Sequence, residues 1–339
     1  MKNTILYILF FSICSGNIFA QTDAQISLVN ESPIFINPAQ TGDMDGSVRA
    51  GINYRNQWNS VDIPFETSIL YADFKISPKF LNEKPLAIGI MYFNDRIGNG
   101  FWSNNNLSIS LSKPFRIGSN KVLNTGLYMA YQQQNVNLSN LNMESSFSYL
   151  NLQFGNGNNW LGNSKKALVD FGLGAQYQHI VSKKISFKSG LGIFHLFQPD
   201  NSLDNLSAQK LQRKWNFHTM AVYQTNKNIS IVPTMFIAQQ GNANAVLIGS
   251  EVLYALGRRV VEKIDLRLGM YYRYKDAMIY TLGINHDNFT FIFSYDFTTS
   301  VLGDFNNRRG GFEMTISYVN RMFKGGKDFK YILPGNRLL

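Results

Sequence analysis

Near the end of the chain, Phe289, Phe291, Phe293, Tyr295 and Phe297 alternate with Thr290, Ile292, Ser294, Asp296 and Thr298. A few residues later Phe312, Met314, Ile316 and Tyr318 alternate with Glu313, Thr315, Ser317 and Val319. Successive side chains of a strand point to opposite faces, so a period of two gives one bulky apolar face and one of carboxylates and hydroxyls. The pattern recurs along most of the chain. Val169, Phe171, Leu173, Ala175 and Tyr177 oppose Asp170, Gly172, Gly174, Gln176 and Gln178. Ile264, Leu266, Leu268, Met270, Tyr272 and Tyr274 oppose Asp265, Arg267, Gly269, Tyr271, Arg273 and Lys275.

Strand-like stretches lie near 46–58, 65–77, 85–95, 104–115, 121–134, 166–181, 184–197, 213–225, 228–240, 244–257, 262–274, 277–286, 288–298 and 311–320, about fourteen in all. Each meets or approaches the roughly 9–11 residues that a tilted membrane strand requires. Polar or glycine pairs separate many of them: Ser182-Lys183, Asn226-Lys227, Gly241-Asn242, Lys275-Asp276 and Asp287-Asn288 suit tight hairpins. Two connections, 135–165 and 198–211, are longer and are read as external or lumen-folded loops. A soluble sandwich would require a second apolar set to fill its interior, and the alternation offers none. The fold class is therefore read as all-β, a transmembrane antiparallel barrel of about 14 strands with a polar lumen and both termini on the periplasmic side.

The amino terminus reads as an export signal. Lys2 precedes an apolar run over residues 5–13, and Ile18-Phe19-Ala20 ends on a small residue. That run is too short to cross a ~30 Å hydrocarbon core comfortably, so cleavage is expected near Ala20. Removing it removes Cys14, the single cysteine. Charged residues are only 16% of the chain against about 25% in ordinary soluble domains. The formal charge of +10 is spread over turns and inward positions and is not read as a nucleic-acid surface.

No catalytic, metal or cofactor motif stands out. His179, His195, His218 and His286 each lie alone on or beside a strand, and no His-Glu-x-x-His or nucleophile elbow occurs. Catalytic, metal and cofactor-binding residues are expected to be none. The informative polar residues are the inward charges, among them Asp170, Asp265 and Arg267. Arg55, Asp95, Arg273, Asp296 and Glu313 are expected to form a polar network in the lumen, since charge away from water must be paired or wet. Such a network either lines a binding surface or rigidifies the barrel.

Several short motifs then appear in order. Asn37-Pro38-Ala39 with Gly42 precedes the first strand, Gln57-Trp58 ends it, and Pro64 follows. Asn94-Asp95-Arg96-Ile97-Gly98 ends the third strand; Arg273 to Asp276, Tyr295-Asp296, Ser300 and a Gly-Phe-Glu strand at Gly311 close the carboxy-terminal half. This series resembles the PorP/SprF family of Bacteroidetes. The resemblance implies an outer-membrane barrel of the type IX secretion system. Such a protein serves the core apparatus or a large cell-surface adhesin, including gliding adhesins, held through the adhesin's C-terminal domain.

The expected organisation is a signal peptide over 1–20, an N-terminal periplasmic segment over 21–45, the barrel over 46–320 and a basic tail over 321–339. The tail lacks the Cys-Pro-x-Phe-like ending of many relatives. The expected function is non-enzymatic binding in the cell outer membrane. Its partners would be a secreted adhesin and/or type IX components, with outer-membrane lipid around the wall. An outer-membrane diffusion channel or small hydrophobic-molecule transporter is the alternative.

Overall fold

The computed structural model describes residues 23–58, 64–76, 85–98, 101–137, 164–202, 209–258, 263–304 and 306–320. Fourteen antiparallel strands form one closed barrel in which each pairs with its neighbours in sequence. They are β1 (Val48–Gln57), β2 (Phe65–Ile76), β3 (Leu86–Ile97), β4 (Trp102–Gly118), β5 (Lys121–Val136), β6 (Ser164–Ile180) and β7 (Ile185–Phe194). The second half contains β8 (Lys214–Gln224), β9 (Ile229–Gln240), β10 (Ala243–Arg258), β11 (Lys263–Arg273), β12 (Ala277–His286), β13 (Phe289–Thr298) and β14 (Arg309–Asn320). Closure is made by β1 against β14, with Val48 opposite Asn320 and Gln57 opposite Gly311. Closure leaves no edge strand, which is the condition for placing a sheet in hydrocarbon.

The alternation resolves as the aromatic pattern predicts. Phe289, Phe291, Phe293 and Phe297 point outward, while Ser294, Asp296 and Thr298 are buried within. Leu107, Leu127, Leu268 and Leu282 are each more than half exposed on the outer wall. Apolar side chains of that size are stable there only against lipid. The hairpin turns behave as their composition requires: Gly241, Lys275 and Asp287 adopt positive φ, as tight turns matched to strand twist demand.

The two ends of the barrel differ. One end carries Val48 and Asn320 together with the short connections at 119–120, 181–184, 225–228 and 287–288. The opposite end carries the long connections at 137–163, 195–213 and 299–308. Most of the loop expected at 135–165, together with residues 1–22 and the tail at 321–339, lies outside the described residues.

Two expectations are corrected. The segment read as periplasmic, 21–45, runs inside the barrel from residue 23 onward. It folds as a 3-10 turn at Val29–Glu31, one helical turn at Pro33–Ile36 and a second 3-10 turn at Pro38–Gln40. The interior also holds an apolar set that alternation did not reveal. Ile26, Val29, Ile34 and Ile36 of the segment pack with Ile69, Met91, Phe93, Tyr128, Phe194, Phe236, Leu247 and Ile279 of the wall. The lumen is therefore a packed core, because a segment entering it replaces water by apolar contact.

Candidate functional site in the lumen and at its mouth

The inner segment climbs the barrel from the end bearing Val48 to the end bearing the long loops. At its lower end the Lys75 ammonium donates to the Met44 carbonyl at 2.6 Å. At its upper end Asp23 accepts from Lys214 at 3.2 Å and meets His195 Nε2 at 3.0 Å. Its backbone amide donates to Gln240 Oε1 at 2.8 Å. Lys214 opens β8, His195 follows β7 and Gln240 closes β9, so all three mark the long-loop end.

Between these ends the segment is held by charge at three levels. Asp43 accepts from Lys188 and from Gln176, both at 2.9 Å. Arg49 grips Asp73 through two nitrogens at 2.9 and 2.7 Å and donates to the carbonyls of Asp43 and Gln40. Glu31 lies 2.8 Å from Arg267, which is also bound to Glu251.

The highest concentration of charge surrounds Ser27. Glu313 accepts the Ser27 amide at 2.6 Å and the Leu28 amide at 3.1 Å. The Ser27 hydroxyl donates to Asp296, and Arg55 and Arg273 converge on the same oxygen at 2.6 and 3.0 Å. Arg55 spans Asp296 at 2.8 Å and Glu313 at 3.1 Å, while Arg273 bridges Asp296 and Asp276. Four of the five residues expected in a lumen network thus meet at one point, and two cations balance two carboxylates there. Asp95 does not join them. It accepts instead from the Thr67 hydroxyl at 2.7 Å.

The Asn37-Pro38-Ala39 motif has its own seat. Asn37 Oδ1 accepts the Ala39 amide at 2.9 Å and Asn37 Nδ2 donates to the Ala175 carbonyl at 3.0 Å. Asn216 donates to the Ile36 carbonyl at 3.0 Å. Opposite the turn, a Cβ at Gly126 would overlap the Pro38–Ala39 peptide, and one at Gly174 would overlap Asn37 Oδ1. Glycine is what permits this approach. Gly42, at φ +75, donates its amide to Asp73 at 2.6 Å.

The remaining motif residues shape the long-loop mouth. Gln57 accepts from Arg55 at 3.3 Å. Trp58, at φ 59, packs edge-on against Phe65 with centroids 5.0 Å apart. The Pro64 carbonyl accepts the Gly98 amide, and the Asp276 carbonyl accepts the amides of Thr299 and Ser300. Together with residues 23–25, Trp58 and Asp276 border a vestibule of about 840 Å3. Beside the segment, two further cavities are each about 30 Å3, room for a water or two.

The polar residues that sequence reasoning passed over are the partners of the inner segment: Arg49, Asp73, Lys188, Lys214 and Glu251 on the wall, and Asp23, Ser27, Glu31 and Asp43 on the segment. The available signal was the trio Asp23, Glu31 and Asp43 in a region that also carries strong apolar residues. No group of three or more His, Cys, Asp or Glu side chains that could hold a metal ion occurs among the described residues.

Solved barrels share this architecture. A TodX monoaromatic hydrocarbon channel with the deltaS2 change aligns over 85% of this chain and 92% of its own at 10% identity and a TM-score of 0.52. Its deltaS2S3 counterpart aligns over 84% and 93% at 9% identity, also at 0.52. The Pseudomonas putida toluene transporter TodX covers 87% of this chain and 93% of its own at 10% identity, with a TM-score of 0.48. At such identity the likeness is one of fold alone. No curated protein matches the chain. The barrel fold and the family together place the protein in the outer membrane. Residues 18–318 match the type IX secretion system membrane protein PorP/SprF, and the chain belongs to that family.

Proposed function

We propose that the protein is a non-enzymatic, internally plugged barrel of the type IX secretion system. It docks a partner at its long-loop mouth. The partner is a large surface adhesin, bound through its C-terminal domain, or another component of the machinery. The observation that supports this reading most is the inner segment. Residues 23–47 fill the lumen with apolar contact and are tied to the wall at Asp23, Ser27, Glu31 and Asp43. A pore for free diffusion is poorly served by an interior of that kind. The mouth above the plug, in contrast, offers a concave surface with aromatic and charged residues. By the usual asymmetry of outer-membrane barrels, the end with the longer connections faces outward.

The test is an affinity pull-down of the full chain from detergent-solubilised outer membranes, with mass spectrometry of what accompanies it. The expected result is co-purification of one large surface protein or of type IX components. Recovery alone, together with ion conductance of the intact protein in a planar bilayer, would overturn the docking reading in favour of a channel.

A further inference from the structure

Asp95 is the member of the expected network that the fold sets apart, and its surroundings are built for a ligand. In the strand register Thr67, Asp95, Asn104 and Gln134 stand side by side across β2, β3, β4 and β5. They form one lumen-facing row at the long-loop end, and all four border the vestibule. Asp95 and Asn104 are each 6% exposed and Gln134 is 4% exposed. Asp95 is the one carboxylate in the row, and no ion pair within 4.0 Å engages it among the described residues. The Asn104 Oδ1 and Gln134 Oε1 atoms accept no hydrogen bond from the protein. A buried acceptor without a donor costs on the order of 1–3 kcal/mol. Two such acceptors beside a carboxylate that holds a hydrogen bond from Thr67 and no ion pair call for a cation rich in N–H groups.

The rim of the vestibule supplies the complementary surface. Trp58, Phe65 and Trp102 lie on the same side as the row, at the ends of β1, β2 and β4. Aromatic faces favour a flat delocalised cation, and Arg is the side chain that stacks on them while donating in one plane. The cations native to the vestibule are already engaged. Arg273 is held by Asp276 and Asp296, and Lys275 lies over the Tyr274 ring at 5.2 Å. We infer that the vestibule is a recognition pocket for an arginine side chain of the docked partner, with Asp95 as its counter-ion and Asn104 and Gln134 as additional acceptors. This inference rests on the docking reading but is testable apart from it.

The probe is arginine amide, with citrulline amide as the neutral counterpart of the same shape, titrated into the purified full-length protein and followed by saturation-transfer NMR. Arginine amide should bind saturably and citrulline amide at least ten-fold more weakly. Asp95→Asn, which keeps size and shape, should lose at least ten-fold for arginine amide, and Asn104→Leu should lose less. Retention of the barrel is checked by its heat-dependent shift on gels. Equal binding of the two amides, or undiminished binding by folded Asp95→Asn, would overturn the inference. The same variant in the pull-down separates the two ideas. Partner recovery unchanged by Asp95→Asn refutes the arginine pocket and leaves docking intact. Loss of the partner only in the variant supports both. Arginine binding by a wild-type chain that recovers no partner leaves the pocket and removes the docking.

Discussion

The backbone amide of Ser27 donates to Glu313 Oε2 at 2.6 Å across 286 positions of chain. One carboxylate thereby closes the barrel's last strand onto its inner segment, since its other oxygen takes the Leu28 amide and the Asn53 side chain. Glu313→Gln would leave Arg55 without one of its two anions and point a donor at two amides. Uncompensated buried charge costs about 3–5 kcal/mol. The expected outcome is a loss of that order in urea unfolding. Cleavage by a Glu-specific protease after Glu31 should also become at least ten-fold faster. A change below about 1 kcal/mol, with Glu31 still protected, would show that the clamp is not what retains the segment.

A second prediction concerns the glycine seat. Valine is the better residue in a strand, so Gly174→Val should leave β6 intact or strengthen it. Its side chain would nonetheless occupy the space of Asn37 Oδ1. Overpacking costs roughly 1–3 kcal/mol, and here the yielding element is the turn rather than the ladder. Protease access to Glu31 should increase while the folded barrel persists on gels. Leu173→Val, on the lipid face of the same strand, should leave Glu31 protected. If both variants behave alike, the motif's fit to this trough is incidental.

How much of this was legible beforehand follows from which contacts are periodic. Strand alternation is local and repeated, so the aromatic ladders at Phe289 to Phe297 revealed face, strand and barrel. The meeting of Arg55, Arg273, Asp296 and Glu313 was also within reach, because a charge on the inward face must find a partner nearby. The inner segment was not. Its residues carry no period, and its partners lie up to 286 positions away. Reading a polar lumen from alternation also overlooked Ile69, Phe93 and Ile279, which are apolar residues on inward positions. Charge and inward direction group Asp95 with the network, but neither tells which strands stand beside it. The register places it on β3, beside Thr67 and Asn104, away from β13 and β14.

If the inner segment is what closes the lumen, its removal should open it. Deleting residues 24–44 takes away the apolar contacts of Ile26, Val29, Ile34 and Ile36 but leaves every strand. Arg55, Arg273, Asp296 and Glu313 would still neutralise one another. The expected result is a folded barrel that conducts in planar bilayers where the intact chain is silent. Silence of a folded deletion variant, or conductance by the intact protein, would remove the plug from the account.

The last prediction concerns pH at the upper end of the segment. His195, in the loop directly after β7, lies between Asp170 at 2.9 Å and Asp23 at 3.0 Å. Burial would lower its pKa, but the two carboxylates outweigh burial and push it up to about 9. Burial acts against Asp23 as well, and Lys214 and His195 overcome it and hold that carboxyl well below its usual range. The signs are opposite. A raised imidazole contributes stability that is complete below about pH 6.5 and is lost as pH climbs through about 9. A depressed carboxylate contributes stability that is present above about pH 4 and is lost in acid. His195→Gln imitates the neutral ring. Its deficit in apparent melting temperature against wild type should therefore be steady between pH 5 and 6.5, shrink through pH 9 and nearly vanish by pH 10. A deficit independent of pH over that range would mean that the ring's shape, rather than its charge, fastens Asp23 at the mouth.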